Sequence, residues 1–252
     1  MAAKKILAGN WKMNLGIKDS RELAQNLAGL AKTLKKSELW VAPSAMALAA
    51  VAEALAGSPV LCGAQNVYWE KKGAFTGELS IDMLKEAGSV FAIVGHSERR
   101  HLFGETSAMV AQRVLGCLAA GFKPVFCIGE KLDQREAGQT VAVLQEQLDP
   151  VLAAIKSEQV SNVVIAYEPV WAIGTGKVAT LAEVAEAHAA IHGYWTSKVG
   201  GACPPILYGG SVAPDNFEGI ITTPLVAGCL IGGASLVFDK MKAMASAAER
   251  VC

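Results

Sequence analysis

Glu168 is the residue around which chemistry can first be argued. It stands in Ala166-Tyr167-Glu168-Pro169-Val170-Trp171-Ala172-Ile173-Gly174-Thr175-Gly176-Lys177, after the β-branched run Val163-Val164-Ile165. Such a run reads as a fully buried strand. Pro169 biases Glu168 to an extended backbone, so the carboxylate ends the strand and does not open a helix. An apolar segment with two glycines follows, and then a helix. A carboxylate at a strand's C-terminal end, beside a flexible glycine loop, has the chemistry of a base under a closing lid. The competing reading is a surface connection with a solvated glutamate, and one residue does not separate the two. His96, in Val94-Gly95-His96-Ser97-Glu98-Arg99-Arg100, and Lys12, two residues after Asn10, also follow apolar runs. A carboxylate, an imidazole and an ammonium would act together only if the fold brings three distant segments to one place.

The elements that must do so alternate along the chain. Strands are expected at 5–10, 38–42, 60–64, 91–94, 124–128, 163–168, 206–208 and 225–231. Asp19-x-x-Glu22 has the form of a capping box opening an amphipathic helix to about residue 35. Further helices are expected to about residue 56, from Ser80, over 106–120, 140–155 and 181–199, near Asn216 and from about Ser235. A long polar loop, 65–79, follows the third strand. Eight strand–helix units in 252 residues, with no Pro/Ser-rich linker, fit a single (β/α)8 barrel spanning 1–252. A doubly wound open sheet would need a nucleotide signature at a strand crossover. Gly174-Thr175-Gly176-Lys177-Val178-Ala179 matches G-x-G-x-x-A, but Pro169, Val170 and Trp171 separate it from its strand, and no acidic residue follows at the right strand end. A P-loop would need glycine where Trp171 stands and Ser or Thr at Val178.

Composition narrows the partners. With 52% hydrophobic and 18% charged residues the chain is too apolar for disorder. The net charge is +0 and no basic run interleaves with aromatics, which argues against nucleic acid. No apolar run reaches transmembrane length, and Met1-Ala2-Ala3-Lys4-Lys5-Ile6 runs into the first strand without the pattern of a signal peptide. Cys62, Cys117, Cys127, Cys203, Cys229 and Cys252 form no C-x-x-C and read as reduced thiols of a cytoplasmic protein. His188 and His192 lie four apart on a helix, but no third ligand accompanies them, so a plain helix face is expected and no metal.

In a barrel the C-terminal ends of all strands meet at one face. The first strand delivers Asn10 and Lys12, the fourth His96, the sixth Glu168. Two glycine turns complete that face: Tyr208-Gly209-Gly210-Ser211-Val212 after the seventh strand and Gly232-Gly233-Ala234-Ser235 after the eighth, the latter opening a helix. Glycines let backbone N–H groups approach an anion, a helix start adds a favourable dipole, and barrels bind phosphate at these two turns.

End to end, the chain resembles the triosephosphate isomerases. The resemblance is carried by Gly9-Asn10-Trp11-Lys12-Met13-Asn14, Gly73-Ala74-Phe75-Thr76-Gly77-Glu78, Val94-Gly95-His96-Ser97-Glu98-Arg99-Arg100, the stretch from Tyr167 to Gly176, and the two glycine turns. It implies interconversion of dihydroxyacetone phosphate and glyceraldehyde 3-phosphate without metal or organic cofactor. Glu168 would remove the proton, neutral His96 would serve the enediolate oxygens, and Lys12 would supply fixed positive charge; this acid–base arrangement is the family's established one. Asn10 would help place Lys12, Glu98 would support the site or simply open its helix, and Gly174, Ser211, Gly232 and Gly233 would hold the phosphate. The loop from Pro169 to Ala179 would close as a lid. Another phosphosugar isomerase would not need all three of Lys12, His96 and Glu168, and a non-catalytic barrel would have lost at least one. The loop bearing Phe75 and Thr76 would insert into a neighbouring subunit, implying a homodimer with Met13 and Asn14 in the interface. Two departures stand out. Val178 replaces the commoner threonine at the far lid hinge. His192 and Ala227 replace an arginine–aspartate pair, so Ala227 is expected to be buried and His192 neutral or turned to another acceptor.

Overall fold

The computed structural model describes residues 3–174 and 176–252. Met1 and Ala2, read above as the approach to the first strand, and Thr175, in the lid stretch, lie outside the described residues. The chain begins with β1 (Lys5–Asn10), α1 (Ile17–Ala31), β2 (Ser37–Ala42), α2 (Leu48–Ala54), β3 (Leu61–Ala64), α3 (Ile81–Glu86) and β4 (Phe91–Val94). It continues with α4 (Ser97–Leu102), α5 (Ser107–Ala119), β5 (Lys123–Ile128), α6 (Leu132–Glu136) and α7 (Thr140–Leu152). The last third holds β6 (Val164–Tyr167), α8 (Leu181–Val199), β7 (Ile206–Tyr208), α9 (Pro214–Thr222), β8 (Val226–Ile231) and α10 (Phe238–Val251). Short 3-10 segments lie at Ser157–Asn162, Val170–Ala172 and Gly233–Leu236.

The strands are parallel and close in sequence order, β8 pairing back onto β1, so the expected (β/α)8 barrel is the fold. The near-continuous apolar runs have a physical reason: each strand is covered on both faces. Alternate residues split accordingly. Ile6, Ala8, Trp40, Phe91, Ile93 and Leu207 belong to one cluster, filling the barrel, while Leu7, Leu39, Val41 and Ile165 pack outward against helices. Trp40 and Phe91 meet inside at 5.0 Å between ring centroids. Gly63 makes room for that ring, since a Cβ there would come within 2.4 Å of Phe91.

Three local expectations are corrected. Asp19 does not cap α1: the helix starts at Ile17 with Gly16 at its N-cap and no side-chain cap bond, because the chain turns at Leu15, which has φ of 63°. Asp19 instead lies in the first turn, where its charge suits the helix dipole. The final helix begins at Phe238, after a 3-10 segment that takes up the turn from Gly233. Ala227 is half-buried, not buried. The β7–β8 register skips it, with Ile206 opposite Val226 and Leu207 opposite Gly228, so the bulge turns Ala227 out of the ladder. His192 is half-buried as well. A charge at either position would keep part of its hydration, and restoring one alone would cost well below what a fully buried unpaired ion does.

One clamp ties the last helix to the start of β2. Glu249 on α10 accepts the backbone N–H groups of Lys35, Lys36 and Ser37, each at 2.9 Å, and the Ser37 hydroxyl at 2.8 Å. Burial alone would raise this carboxyl, but the hydrogen bonds from Lys35, Ser37 and Lys36 outweigh it and hold it below its ordinary value. A depressed carboxyl contributes stability above its unfolded pKa and loses it as pH falls through the folded one. Glu249→Ala should therefore cost about 1.5–3 kcal/mol at pH 7, the range for hydrogen bonds to a charged group. Denaturant melts should show that deficit shrinking in acid; a deficit that persists there would mean shape, not charge, sets it.

Candidate active site

The site is built where strand ends give way to helix starts. β1 ends at Asn10, and two residues on Lys12 sits in the left-handed region with φ of 51°, a conformation unfavourable for a lysine. It is held there from both sides. The Asn10 Oδ1 accepts the Lys12 N–H at 3.1 Å, and Gln65 Nε2 donates to the Lys12 carbonyl at 2.7 Å and to that of Ala42 at 2.9 Å. The ammonium then reaches Glu98 Oε1 at 2.6 Å.

After β4, Gly95 with φ of 71° turns the chain so that His96 caps α4. The His96 Nδ1 accepts the Glu98 N–H at 3.2 Å. An accepting Nδ1 leaves the ring's N–H on Nε2. Its Nε2 lies 3.1 Å from Glu168 Oε1. Glu168, at the end of β6, is 1% exposed, and its other oxygen accepts the Ser97 N–H at 2.8 Å. Oε1 has no aligned donor despite the nearness of His96, so one carboxylate oxygen is held and the other open. Gly209 gives it room: a Cβ there would come within 2.8 Å of the Glu168 Cγ. The buried Cys127 thiol is pushed well above its ordinary value by burial and then by the Glu168 charge.

Asn10, Lys12, His96 and Glu168 line a cleft of about 310 Å³ that extends to Gly209–Ser211 and Gly232–Gly233. The Lys12 stem passes Gly232, where a Cβ would stand 3.5 Å from its Cε. A cation, an imidazole and a carboxylate thus meet in the cleft, with the two glycine turns lining it beside Glu168 and Lys12. The cleft suits a small anion with an acidic C–H.

A model of the family described as triosephosphate isomerase matches residues 5–248. Among similar proteins, the triosephosphate isomerase of Citrifermentans bemidjiense is 45% identical over 236 residues, covering 92% of this chain and 94% of that protein. That of Bdellovibrio bacteriovorus is 46% identical over 246 residues, covering 96% and 99%. That of Chloroflexus aurantiacus is 46% identical over 235 residues, covering 92% and 94%. The chain belongs to the triosephosphate isomerase family.

For a triosephosphate isomerase fold, the strand-seven turn holds an informative detail. The Ser211 N–H, expected toward phosphate, donates to the Ala172 carbonyl at 3.0 Å, and its hydroxyl donates to the same oxygen at 2.6 Å. The lid carbonyl lies within reach of both donors, so a phosphate would have to take the N–H over. Gly174, with φ of 68°, and Val178 lie exposed on the lid and line the cleft.

Two site residues escaped the sequence reading. Gln65 read as the first residue of a polar loop, yet it pins Lys12. Glu130, two residues past the end of the fifth expected strand, drew no reading from the sequence. It is fully buried, and its Oε1 accepts the Tyr167 hydroxyl and the Trp171 indole N–H, each at 3.0 Å. It therefore anchors the start of the 169–179 loop. Its signal was a carboxylate two residues past a strand end, the same kind of position that singled out Lys12.

Among the described residues no group of three His, Cys, Asp or Glu is placed to hold a metal. His188 is buried against the Tyr167 ring edge, with Nδ1 donating to the Val184 carbonyl at 2.8 Å and Nε2 without a partner. Burial lowers its pKa from 6.5 to about 4, with the Val184 bond opposing. Unfolded, the ring takes a proton near 6.5; folded, it stays neutral down to about 4. The folded state binds fewer protons in that window, so stability is whole above 6.5 and falls as pH drops toward 4. His188→Leu should flatten this limb by about 3 kcal/mol across the window, one pKa unit being about 1.4 kcal/mol. Equal slopes for parent and variant in pH-dependent melts would refute the assignment.

Proposed function

We propose that this chain, as one catalytic domain over 1–252, interconverts dihydroxyacetone phosphate and D-glyceraldehyde 3-phosphate through an enediolate, in glycolysis and gluconeogenesis, as the names of its relatives imply. The observation that carries the reading is the 3.1 Å approach of His96 Nε2 to the buried Glu168 carboxylate, beside the Lys12 ammonium. Glu168 takes a proton from the carbon next to the carbonyl and returns it to the neighbouring carbon. In that step the carboxylate leaves the Ser97 N–H and turns into the cleft. The developing oxyanion is stabilised by the Nε2–H of His96, which moves a proton between the two oxygens, and by Lys12. A neutral imidazole suits this task because its remaining N–H is a weak acid matched to an enediol oxygen; this is the known acid–base pairing of the family. Asn10 and Gln65 hold Lys12 in its strained backbone, and Glu98 aims its ammonium. Gly174, Ser211, Gly232 and Gly233 offer N–H groups to the phosphate. Lid closure excludes water and suppresses loss of phosphate from the enediolate.

The same reading includes a homodimer. Met13 is 96% exposed, directly after Lys12, and a groove of about 380 Å³ runs beside the site along Met13, Gln65, Glu98 and Phe103. Phe103 is 69% exposed, Asn14 lies exposed beside Met13, and Phe75 and Thr76 lie exposed on the long loop. Tyr68 stacks on Trp69 at 4.0 Å and meets Phe75 at 4.6 Å, while Arg113 lies over Tyr68 and Trp69, so the loop is stiffened before any partner arrives. A groove of mixed lining that opens on the exposed Met13 and Phe103, together with an exposed, pre-ordered loop carrying Phe75, favours a second copy of the chain over solvent. No described helix is long and apolar enough to cross a membrane, and Cys62, Cys117, Cys127 and Cys229 are buried free thiols. Buried reduced thiols suit the reducing cytoplasm, and the proposed reaction calls on no nucleic acid, metal or organic cofactor.

Glu168→Gln should keep the fold and lose at least about a thousandfold in turnover, because an amide cannot accept the proton. A coupled assay started from each triose phosphate decides it, and a variant as active as the parent would overturn the reading. Sedimentation at micromolar concentration should give a dimer; a fully active monomer would remove the partner loop from the site.

A further inference from the structure

The turn after β7 is gripped by a side chain that the proposed chemistry does not use. Asn216, half-buried in the first turn of α9, lines the same cleft. Its Nδ2 donates to the Ser211 carbonyl at 3.0 Å, and its Oδ1 accepts the Ala213 N–H at 2.9 Å. One planar carboxamide thus spans both ends of the Ser211–Ala213 stretch. The N–H of Ser211 belongs to the peptide unit before that stretch, and it is the group bonded to Ala172. Upstream, the Gly209 N–H is fixed to the Tyr167 carbonyl at 2.7 Å. Between these two fixed points lies the Gly209–Gly210–Ser211 backbone, in which a Cβ at Gly210 would come within 2.2 Å of the Tyr208 hydroxyl oxygen.

We infer that Asn216 is a positioning residue of the anion site: it clamps the Ser211–Ala213 backbone, so that a turn of the Ser211 N–H from the Ala172 carbonyl to a bound phosphate is confined to the glycine pair before it. The inference rests on the reading of this turn as the phosphate site. Without the clamp, the peptide units beyond Ser211 would share the rotation, and ordering them would be charged against binding. The cost falls on affinity for the phosphate group and not on proton transfer, since Asn216 has no contact with Glu168 or His96 among the hydrogen bonds of the site. The plain alternative is that Asn216 only caps α9, whose N-cap, Ala213, has no side chain able to do so.

The two roles separate experimentally. Asn216→Ala should raise both KM and the inhibition constant of inorganic phosphate by about tenfold, while kcat stays within about threefold, a loss of binding shared by ground and transition state. Ala213→Ser supplies a capping hydroxyl, and Asn216→Ala in that background should regain thermal stability. Its phosphate inhibition should nevertheless stay weaker than that of Ala213→Ser alone. This second comparison also serves if Asn216→Ala alone does not fold. Unchanged phosphate inhibition in either comparison, or affinity recovered together with stability, would make Asn216 a helix cap and overturn the inference. If the parent itself is neither active on triose phosphates nor competitively inhibited by phosphate, the functional reading has failed instead.

Discussion

The site depends on the unpaired N–H groups at the start of α4. The first turn of any helix leaves donors without intrahelical partners. Here they are spent on the groups proposed to do the chemistry. The Ser97 N–H holds Glu168 at 2.8 Å, and the Glu98 N–H holds His96 Nδ1 at 3.2 Å. The Glu98 side chain then leaves the same turn to meet Lys12 at 2.6 Å. One turn therefore fixes the carboxylate, sets the imidazole tautomer and aims the ammonium. Arg100, a turn further on, ties this helix to the barrel, donating to the Gly95 carbonyl at 2.9 Å and to that of Cys127 at 3.1 Å. A shift of α4 would disturb all three groups at once.

The barrel makes such a turn usable. Parallel strands in sequence order put the ends of β1, β4 and β6 on one face, and their registers fix how far each end projects. Strain is accepted where a side chain must be aimed. Lys12 adopts a left-handed backbone and is compensated by Asn10 and Gln65. Gly129 is needed for a different reason: a Cβ there would come within 1.7 Å of the Glu168 carbonyl oxygen, so only glycine lets the chain after β5 pass this close to the end of β6. The cost of shaping the face is offset by strands and helices buried around it.

The barrel and the meeting of Lys12, His96 and Glu168 at one cleft were legible because their signals are local: apolar runs, turn glycines and a polar residue just past each run. What stayed hidden depends on contacts between distant segments. Gln65 and Glu130 look like ordinary loop polars until the fold sets one on the Lys12 carbonyl and the other under Trp171. The Asp19-x-x-Glu22 pattern misled because the turn at Leu15 starts the helix earlier than capping chemistry alone suggests. Ala227 was misjudged because a bulge is a property of two strands, and one strand's sequence does not carry it. The hydrogen bonds of Ser211 to Ala172 were hidden for a similar reason, since they join β7's turn to a lid more than thirty residues upstream.

The lid brings these threads to one residue. Its near end is held by Trp171 on Glu130, and its far end passes into α8 through a capping box in which Thr180 Oγ1 and the Thr180 N–H both donate to Glu183 Oε2, at 2.9 and 2.8 Å. Arg135, on the short helix α6, reaches both carboxylates, Glu130 at 3.4 Å and Glu183 at 3.2 Å, and lies over the Trp171 ring at 5.5 Å. A single guanidinium thus joins the two fixed ends of the loop, and Arg's planar fork is suited to holding both. The far anchor begins at Thr180, past Val178, whose side chain is exposed. An exposed hydroxyl at 178 would compete with water for any bond it made and would add little to either anchor. The chain can therefore carry valine there while both lid ends stay fixed, because the anchoring contacts lie at Trp171 and Thr180 and in the arginine that bridges them.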